Sequence, residues 1–357
     1  MLRHLMTAMF TTKLLFTPTA IIMSALLRDI ETAANEKLDQ PLRDYLNRGA
    51  MDDLTLRANR EAFSRLRIRP RYMVDVSHRD LTVQVLGHTI RAPICVSPFG
   101  LNTAVHSNAE LDTAKDQFGT IMAVSSGSRV TLEDIAGAEP SLHKWMQLFI
   151  YRDREVTRDL ALRAQASGYK ALLLTVDMPV LGLRYHNQKN NFTNADNRVN
   201  YEPYGAGARV ADNATWADVA WLKAQVDIPL VIKGILTAED ARLAVDSGAD
   251  AILVSNHGGR QLDSAPATLE ALPEIVAEVG RECEVYLDGG VRSGADVFKA
   301  LALGARAVFV GRPVCWGLVH SGSEGVKSVL EILYTELDNI MTITGCPTVA
   351  SITPSHN

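Results

Sequence analysis

The chain has 357 residues, 47% of them apolar, and a formal net charge of −5 with both signs interspersed. This composition supports a sizeable core and offers neither the basic stripe that a nucleic-acid partner needs nor an acidic tail. The four cysteines, Cys95, Cys283, Cys315 and Cys346, lie far apart without zinc-like spacing, so neither a disulfide framework nor a metal site is expected and a reducing compartment fits best.

The first 28 residues hold Arg3, His4, Lys13 and Arg28, are rich in Thr and Met, and contain no acid before Asp29. Two readings stand for residues 1–23: a transit peptide, or a plain extension with Met23 as a second start. Lys13 and Pro18 interrupt the apolar stretch, which argues against a membrane span. A helical pattern over Leu26 to Leu46 and a strand-like pair around Leu81 to Ile90 read as an N-terminal cap on the remainder of the chain.

From Pro93 onward one pattern repeats: a short run rich in Val, Ile and Leu, a polar turn, then a helical stretch. The expected strands are Ile94 to Ser97, Ile121 to Ser125, Trp145 to Phe149, Ala171 to Val176, Leu230 to Lys233, Ala251 to Ser255, Val285 to Asp288 and Ala307 to Gly311. Between them lie segments such as TAEDARLAVDSGAD (237–250), with Ala241, Ala244 and Val245 at helical spacing after the N-cap residue Thr237. Continuous apolar strands alternating with helices mean a parallel sheet covered on both faces. Eight such units predict an α/β fold, a TIM (β/α)8 barrel, where a doubly wound sheet would more often use fewer strands. Without a Pro/Ser-rich linker or short-period repeat, residues 24–357 read as one domain with its barrel core at about 93–340. About fifty residues separate the fourth strand from the fifth; the middle, 185–213, is polar, Asn-rich and aperiodic, a long loop of the kind that is usually functional or disordered. It is too polar to dip into a membrane.

A barrel carries its chemistry at the C-terminal ends of its strands. The last two ends, DGGVRSG (288–294) and GR (311–312), stand where many barrels hold a phosphate: glycines admit the oxygens to backbone amides, and Arg292 and Arg312 supply charge. Glycines serving only tight turns are the competing account. Gln147, Thr175, Ser125 and Lys233 offer uncharged donors and acceptors plus one cation, a set that suits a flat heteroaromatic ring whose edge becomes anionic on reduction, hence a flavin rather than a nicotinamide. Alternatively Lys233 is an ordinary salt-bridging residue. The stretch DAILVSNHGGRQLD (250–263) breaks from an apolar run directly into His257 and Arg260. Either this is a solvated turn, or His257 is a general base oriented by Asp177, with Arg184 and Arg260 clamping a carboxylate bidentately.

Taken with TVDMPVLGLR (175–184), VIKGI (231–235), LDGGVRSGADVFKALALGA (287–305) and VGRP (310–313), the stretch SNHGGRQLD resembles the FMN-dependent 2-hydroxy acid oxidase and dehydrogenase family. The similarity runs from about Leu38 to the C-terminus and includes RDYLNRGAMDD (43–53) and NREAFSRLRIRPR (59–71). The resemblance implies that His257 takes a proton from the substrate with Asp177 in support, while Tyr45, Arg184 and Arg260 bind the substrate carboxylate. It further implies that FMN is held by Ser125, Gln147, Thr175, Lys233 and Ser255, with its ribityl chain and phosphate near Asp288, Gly290, Arg292, Gly311 and Arg312. The expected reaction converts an (S)-2-hydroxy acid to the 2-oxo acid with O2 reduced to H2O2. A dehydrogenase using a quinone or other acceptor, a decarboxylating monooxygenase and a catalytically silent flavin-binding protein are the alternatives.

Three departures from the family pattern bear on specificity. Phe149 stands where a tyrosine usually hydrogen-bonds substrate; a lost donor opposite a buried partner costs about 1 to 3 kcal/mol. Gly127 stands where glycolate oxidases carry a tryptophan, so an aryl or longer-chain, mandelate-like acid is expected over glycolate. Gly100 stands where alanine is frequent beside the flavin, a place that bears on oxygen access. A homotetramer is the family expectation. The C-terminal ITPSHN lacks an SKL-type peroxisomal signal, leaving cytoplasm and mitochondrion as the expected locations.

Overall fold

The structure, a computed structural model, describes residues 26–100, 102–115, 118–192 and 198–356. The expected extension over 1–23 lies outside the described residues. Three helices open the described chain: α1 (Leu27–Lys37), α2 (Gln40–Asn47) and α3 (Leu54–Arg65). The helical pattern over Leu26 to Leu46 is thus two helices, because Asp39 caps a new start by accepting from Leu42 N and Pro41 sits in its first turn. The third, α3, falls in a segment read only as a motif.

An antiparallel pair comes after them, β1 (Val83–Val85) with β2 (His88–Ile90). Eight parallel strands come next: β3 (Ile94–Val96), β4 (Ile121–Ser125), β5 (His143–Leu148), β6 (Ala171–Thr175), β7 (Leu230–Ile235), β8 (Ala251–Val254), β9 (Glu284–Asp288) and β10 (Val308–Val310). They close in the order β10-β3-β4-β5-β6-β7-β8-β9. All eight strands read from the apolar runs are present, β4 with its expected bounds and the others with ends moved by at most two residues. Two ends move by two residues, the start of β5 and the end of β7, which continues past Lys233 through a register irregularity at Gly234.

Alternation along each strand splits the core into two layers. Cys95, Ala123, Trp145, Leu173, Val231, Leu253, Tyr286 and Phe309 fill the barrel interior, where the Trp145, Tyr286 and Phe309 rings pack with centroids 5.4 to 5.8 Å apart. Val83, Val85 and Ile90 of the hairpin belong to the same interior cluster. The hairpin therefore plugs the barrel bottom and leaves the C-terminal mouth for chemistry. The alternate residues, such as Ile252 and Val254, face the outer cluster under the surrounding helices: α4 (Asn102–Val105), α5 (Ala109–Ala114), α6 (Leu132–Ala138), α7 (Arg154–Ala166), α8 (Tyr185–Lys189), α9 (Trp216–Lys223), α10 (Ala238–Asp246), α11 (Thr268–Val279), α12 (Gly294–Ala302) and α13 (Arg312–Thr344), the last kinked at Ser321 and Gly322. Thr237 caps α10 as its spacing predicts, accepting from Asp240 N at 3.2 Å. The long connection after β6 is not structureless: α8 and a 3-10 turn over Glu202–Ala208 lie within it, both too short to print a helical period on the sequence.

Candidate active site

Where β8 ends, the backbone turns through three consecutive left-handed residues, His257, Gly258 and Gly259, with φ of 57°, 65° and 74°. His257 is held there against its conformational preference. The constraint is local: Ser255 Oγ accepts from His257 N at 3.1 Å, and Asn256 Oδ1 accepts from Gly259 N at 3.0 Å. Helix α3 presses on the far side of the turn. A Cβ on Gly259 would stand 2.6 Å from Leu56 N, so a larger residue is excluded by space as well as by φ. Asn59 of α3 and Asn256 exchange two amide hydrogen bonds of 2.8 Å, and the Asp263 carboxylate accepts from Thr55 N and Asp52 N at 2.9 and 3.1 Å. The N-terminal cap is therefore a clamp on the histidine turn.

His257 Nδ1 lies 2.9 Å from Asp177 Oδ1 at the end of β6. Gly234 makes room for this carboxylate, since a Cβ there would meet the Asp177 Cβ at 2.7 Å. Burial pushes the imidazole pKa below its ordinary value, and this outweighs the opposing pull of Asp177. The resting imidazole is thus neutral at neutral pH and free to accept a proton. Burial alone would raise the Asp177 pKa, but its interaction and hydrogen bond with His257 and the nearby Lys233 bring it below the ordinary carboxylate value. A carboxylate that stays ionised fixes the imidazole and stabilises its protonated form.

His257 opens onto a cavity of about 340 Å³ at the C-terminal mouth of the barrel, a size suited to a cofactor or small ligand. Its wall carries Tyr45, Gly100, Ser125, Gly127, Gln147, Phe149, Thr175, Arg184, Lys233, Arg260, Asp288, Gly290, Arg292, Gly311 and Arg312, residues drawn from nearly every strand end and brought together by barrel closure. Two further residues stand behind the wall: Asp177, in the supporting position expected for it, and Ser255, which was expected on the flavin. Asp177 supports His257 as described, and Ser255, fully buried, accepts from Lys233 Nζ at 2.9 Å.

Around the mouth the polar groups fall into three sets. Gln147 links its neighbours, accepting from Ser125 Oγ at 3.2 Å and donating to Thr175 Oγ1 at 3.2 Å. The buried Lys233 also lies 3.6 Å from Asp288 Oδ2, so it is salt-bridged and lines the cavity as well. On one flank, the guanidinium carbons of Arg260 and Arg184 sit 4.8 and 5.5 Å from the centre of the Tyr45 ring. Burial, and then the charge of Arg260, lower the Arg184 pKa to about 10. Two buried like charges side by side call for an anion between them. On the other flank, Arg292 lies over Trp316 at 4.9 Å, and burial, then the charge of Arg60, lower its pKa to about 10. Arg312 donates to the carbonyls of Leu46, Gly258 and Arg48 at 2.9, 3.0 and 3.2 Å, so much of its donor capacity ties the N-terminal cap to the mouth.

Among the described residues, four buried side-chain atoms of the cavity wall have no hydrogen-bond partner: Ser97 Oγ, Arg184 Nε, Asp288 Oδ1 and Arg292 Nε. Unsatisfied buried groups of this kind cost free energy unless a ligand completes them. The set asks for an oxygen acceptor at Arg292, hydroxyl donors at Asp288 and an anion at Arg184. Ser97 was legible as a polar residue closing an apolar strand, the same signal that marks Ser125. Phe192, Arg198 and Tyr201 also line the cavity but come from the aperiodic loop after β6, where a ring or a cation in a polar stretch gives no sequence signal.

Comparison with known proteins agrees with this geometry. Residues 34–357 match the model of the FMN-dependent dehydrogenase family. Glycolate oxidase 3 of Oryza sativa subsp. indica is 43% identical over 347 residues, covering 92% of this chain and 94% of its own length. An L-lactate oxidase of Nostoc sp. is 44% identical over 361 residues, with 94% and 99% covered. Among solved structures, a mutant of mandelate oxidase with (S)-mandelic acid superposes with a TM-score of 0.87 at 40% identity, covering 92% of this chain and 96% of that one.

Proposed function

This chain belongs to the FMN-dependent dehydrogenase family, and we propose that within it the protein oxidises an aryl or longer-chain (S)-2-hydroxy acid to the 2-oxo acid, with O2 reduced to H2O2. FMN is its cofactor, and when bound it accepts the two electrons that leave the substrate. The unpaired donors and acceptors of the wall fit that group. Arg292, Gly290 and Gly311 would hold its phosphate and Asp288 its ribityl hydroxyls, with Ser125, Gln147, Thr175 and Lys233 along the ring. The observation that carries the reading is the 2.9 Å contact of His257 with Asp177 in the same cavity as Arg184, Arg260 and Tyr45.

The two arginines hold the substrate carboxylate, and neutral His257 takes the substrate proton while Asp177 stabilises the imidazolium that results. The 2-hydroxy acid gives up two electrons and two protons; O2 takes up two of each. Gly127 and the rings of Phe99, Phe149 and Phe192 on the wall support a bulky substrate over glycolate. The oxidase names among the relatives support O2 as acceptor. A panel of (S)-mandelate, lactate and glycolate, followed by peroxide formation and product identity, tests the reading. Benzoylformate and peroxide in equal amounts, with mandelate ahead of glycolate, is the expected result. Rapid dye reduction without peroxide would replace the oxidase by a dehydrogenase, and benzoate as product would replace it by a decarboxylating monooxygenase. A homotetramer is the assembly we propose, by analogy with the family.

A further inference from the structure

Side chains alternate along a strand, so the residue two places on from each interior residue faces the barrel axis one layer nearer the mouth. That step takes Cys95 and Ala123 to Ser97 and Ser125, and Trp145, Leu173, Val231 and Tyr286 to Gln147, Thr175, Lys233 and Asp288. An apolar interior is thus topped by a polar layer, and all six of these residues line the mouth cavity. Five of them are tied to one another: Ser125, Gln147 and Thr175 by hydrogen bonds, Lys233 and Asp288 by their 3.6 Å contact. Ser97 is different. Its Oγ is buried and, among the described residues, has no hydrogen-bond partner. The backbone fixes where this hydroxyl stands, because Ser97 N donates to Val310 O at 2.9 Å and a Cβ on Gly311 would meet the Ser97 Cβ at 3.5 Å. In the strand order β10-β3-β4 it lies between Gly311, on the phosphate side, and Ser125, on the ring side.

We propose that Ser97 is a ligand of the bound FMN, its Oγ hydrogen-bonded to the cofactor between the parts held by Gly311 and by Ser125. The inference rests on reading the cavity as the FMN site. A buried hydroxyl left unpaired costs free energy, and a polar cofactor atom that reaches it removes this cost while gaining a bond of its own. The competing partner is a trapped water. Ser97 also lines a second, small cavity of about 10 Å³ together with Glu110, Thr113, Val96, Met122 and Val124, room at the lower limit for one water. The cofactor is favoured because the layer to which Ser97 belongs faces the mouth, where its other five members line the larger cavity.

The test follows thermal unfolding of the parent and of Ser97→Ala across a titration with FMN, together with the FMN Kd read from the rise in flavin fluorescence when each holoenzyme is diluted. The expected result is a Kd raised roughly 5- to 150-fold in Ser97→Ala. Its Tm should lie below the parent's at high FMN, and the gap should close as FMN is withdrawn, because the lost bond exists only in the loaded protein. A Kd within about twofold of the parent's overturns the inference. A Tm gap that persists undiminished at low FMN also overturns it, and assigns the Ser97 hydroxyl to the trapped water or to packing alone. Both outcomes leave the FMN reading of the cavity in place, whereas a parent whose Tm ignores FMN overturns that reading and this inference with it.

Discussion

In the proposed reaction the proton acceptor is His257, which burial holds neutral against the pull of Asp177. Because burial lowers the His257 pKa, the base form persists below the ordinary value of about 6.5. As pH falls through the lowered pKa the imidazole protonates and can no longer accept a proton, so kcat/KM should fall on the acid side with a midpoint below about 6.5. A midpoint above 7 would contradict the account. Replacing the base, His257→Gln, should cost about 10²- to 10⁴-fold in the rate of flavin reduction while FMN stays bound. The second prediction concerns Phe149, whose ring meets Tyr151 edge-on at 6.2 Å. Phe149→Tyr restores a hydroxyl to the wall and should raise kcat/KM by about 1 to 3 kcal/mol, roughly 5- to 150-fold, if a substrate oxygen waits there. No change in steady-state kinetics would mean that no substrate oxygen faces this position. At this scale the sequence was informative wherever a polar residue closed an apolar run, as at Ser125 and Lys233. It was silent on Tyr201 and Arg198, which reach the cavity wall from a long loop.

Elements rather than single side chains explain why the histidine turn is stable. Eight strands were legible because consecutive buried residues leave a continuous apolar run. The clamp was not. Helix α3 reaches the turn after β8 from about 200 residues away in sequence, and nothing in its own periodicity announces the Asn59 and Asn256 pair. Gly259 is where the two elements touch. Gly259→Ala would force an L-residue into φ of 74° with its Cβ 2.6 Å from Leu56 N, and should lower stability by about 1 to 3 kcal/mol or more, with loss of bound FMN. Thermal unfolding followed through flavin fluorescence measures both. An unchanged Tm with full FMN content would show that α3 can yield without disturbing the site.

For the whole molecule, the barrel divides labour between its ends: a hairpin and three aromatic rings fill the bottom and interior, and the mouth gathers side chains from nearly every strand around one cavity. His257, Arg184, Arg260 and Tyr45 line that mouth together with Asp288, Arg292, Gly311 and Arg312 at the last two strand ends, and Arg198 and Tyr201 reach it from the loop after β6. This division makes one claim above the others, that the cavity brings a bound FMN and an (S)-2-hydroxy acid together under His257. Anaerobic mixing of the FMN-loaded protein with (S)- and (R)-mandelate, followed at the visible flavin maximum, tests it most directly. Rapid bleaching by the (S) acid, none by the (R) acid, and near-complete loss of the (S) signal in His257→Gln are expected. Unbleached flavin with every 2-hydroxy acid tried, or bleaching that is indifferent to His257, would contradict it.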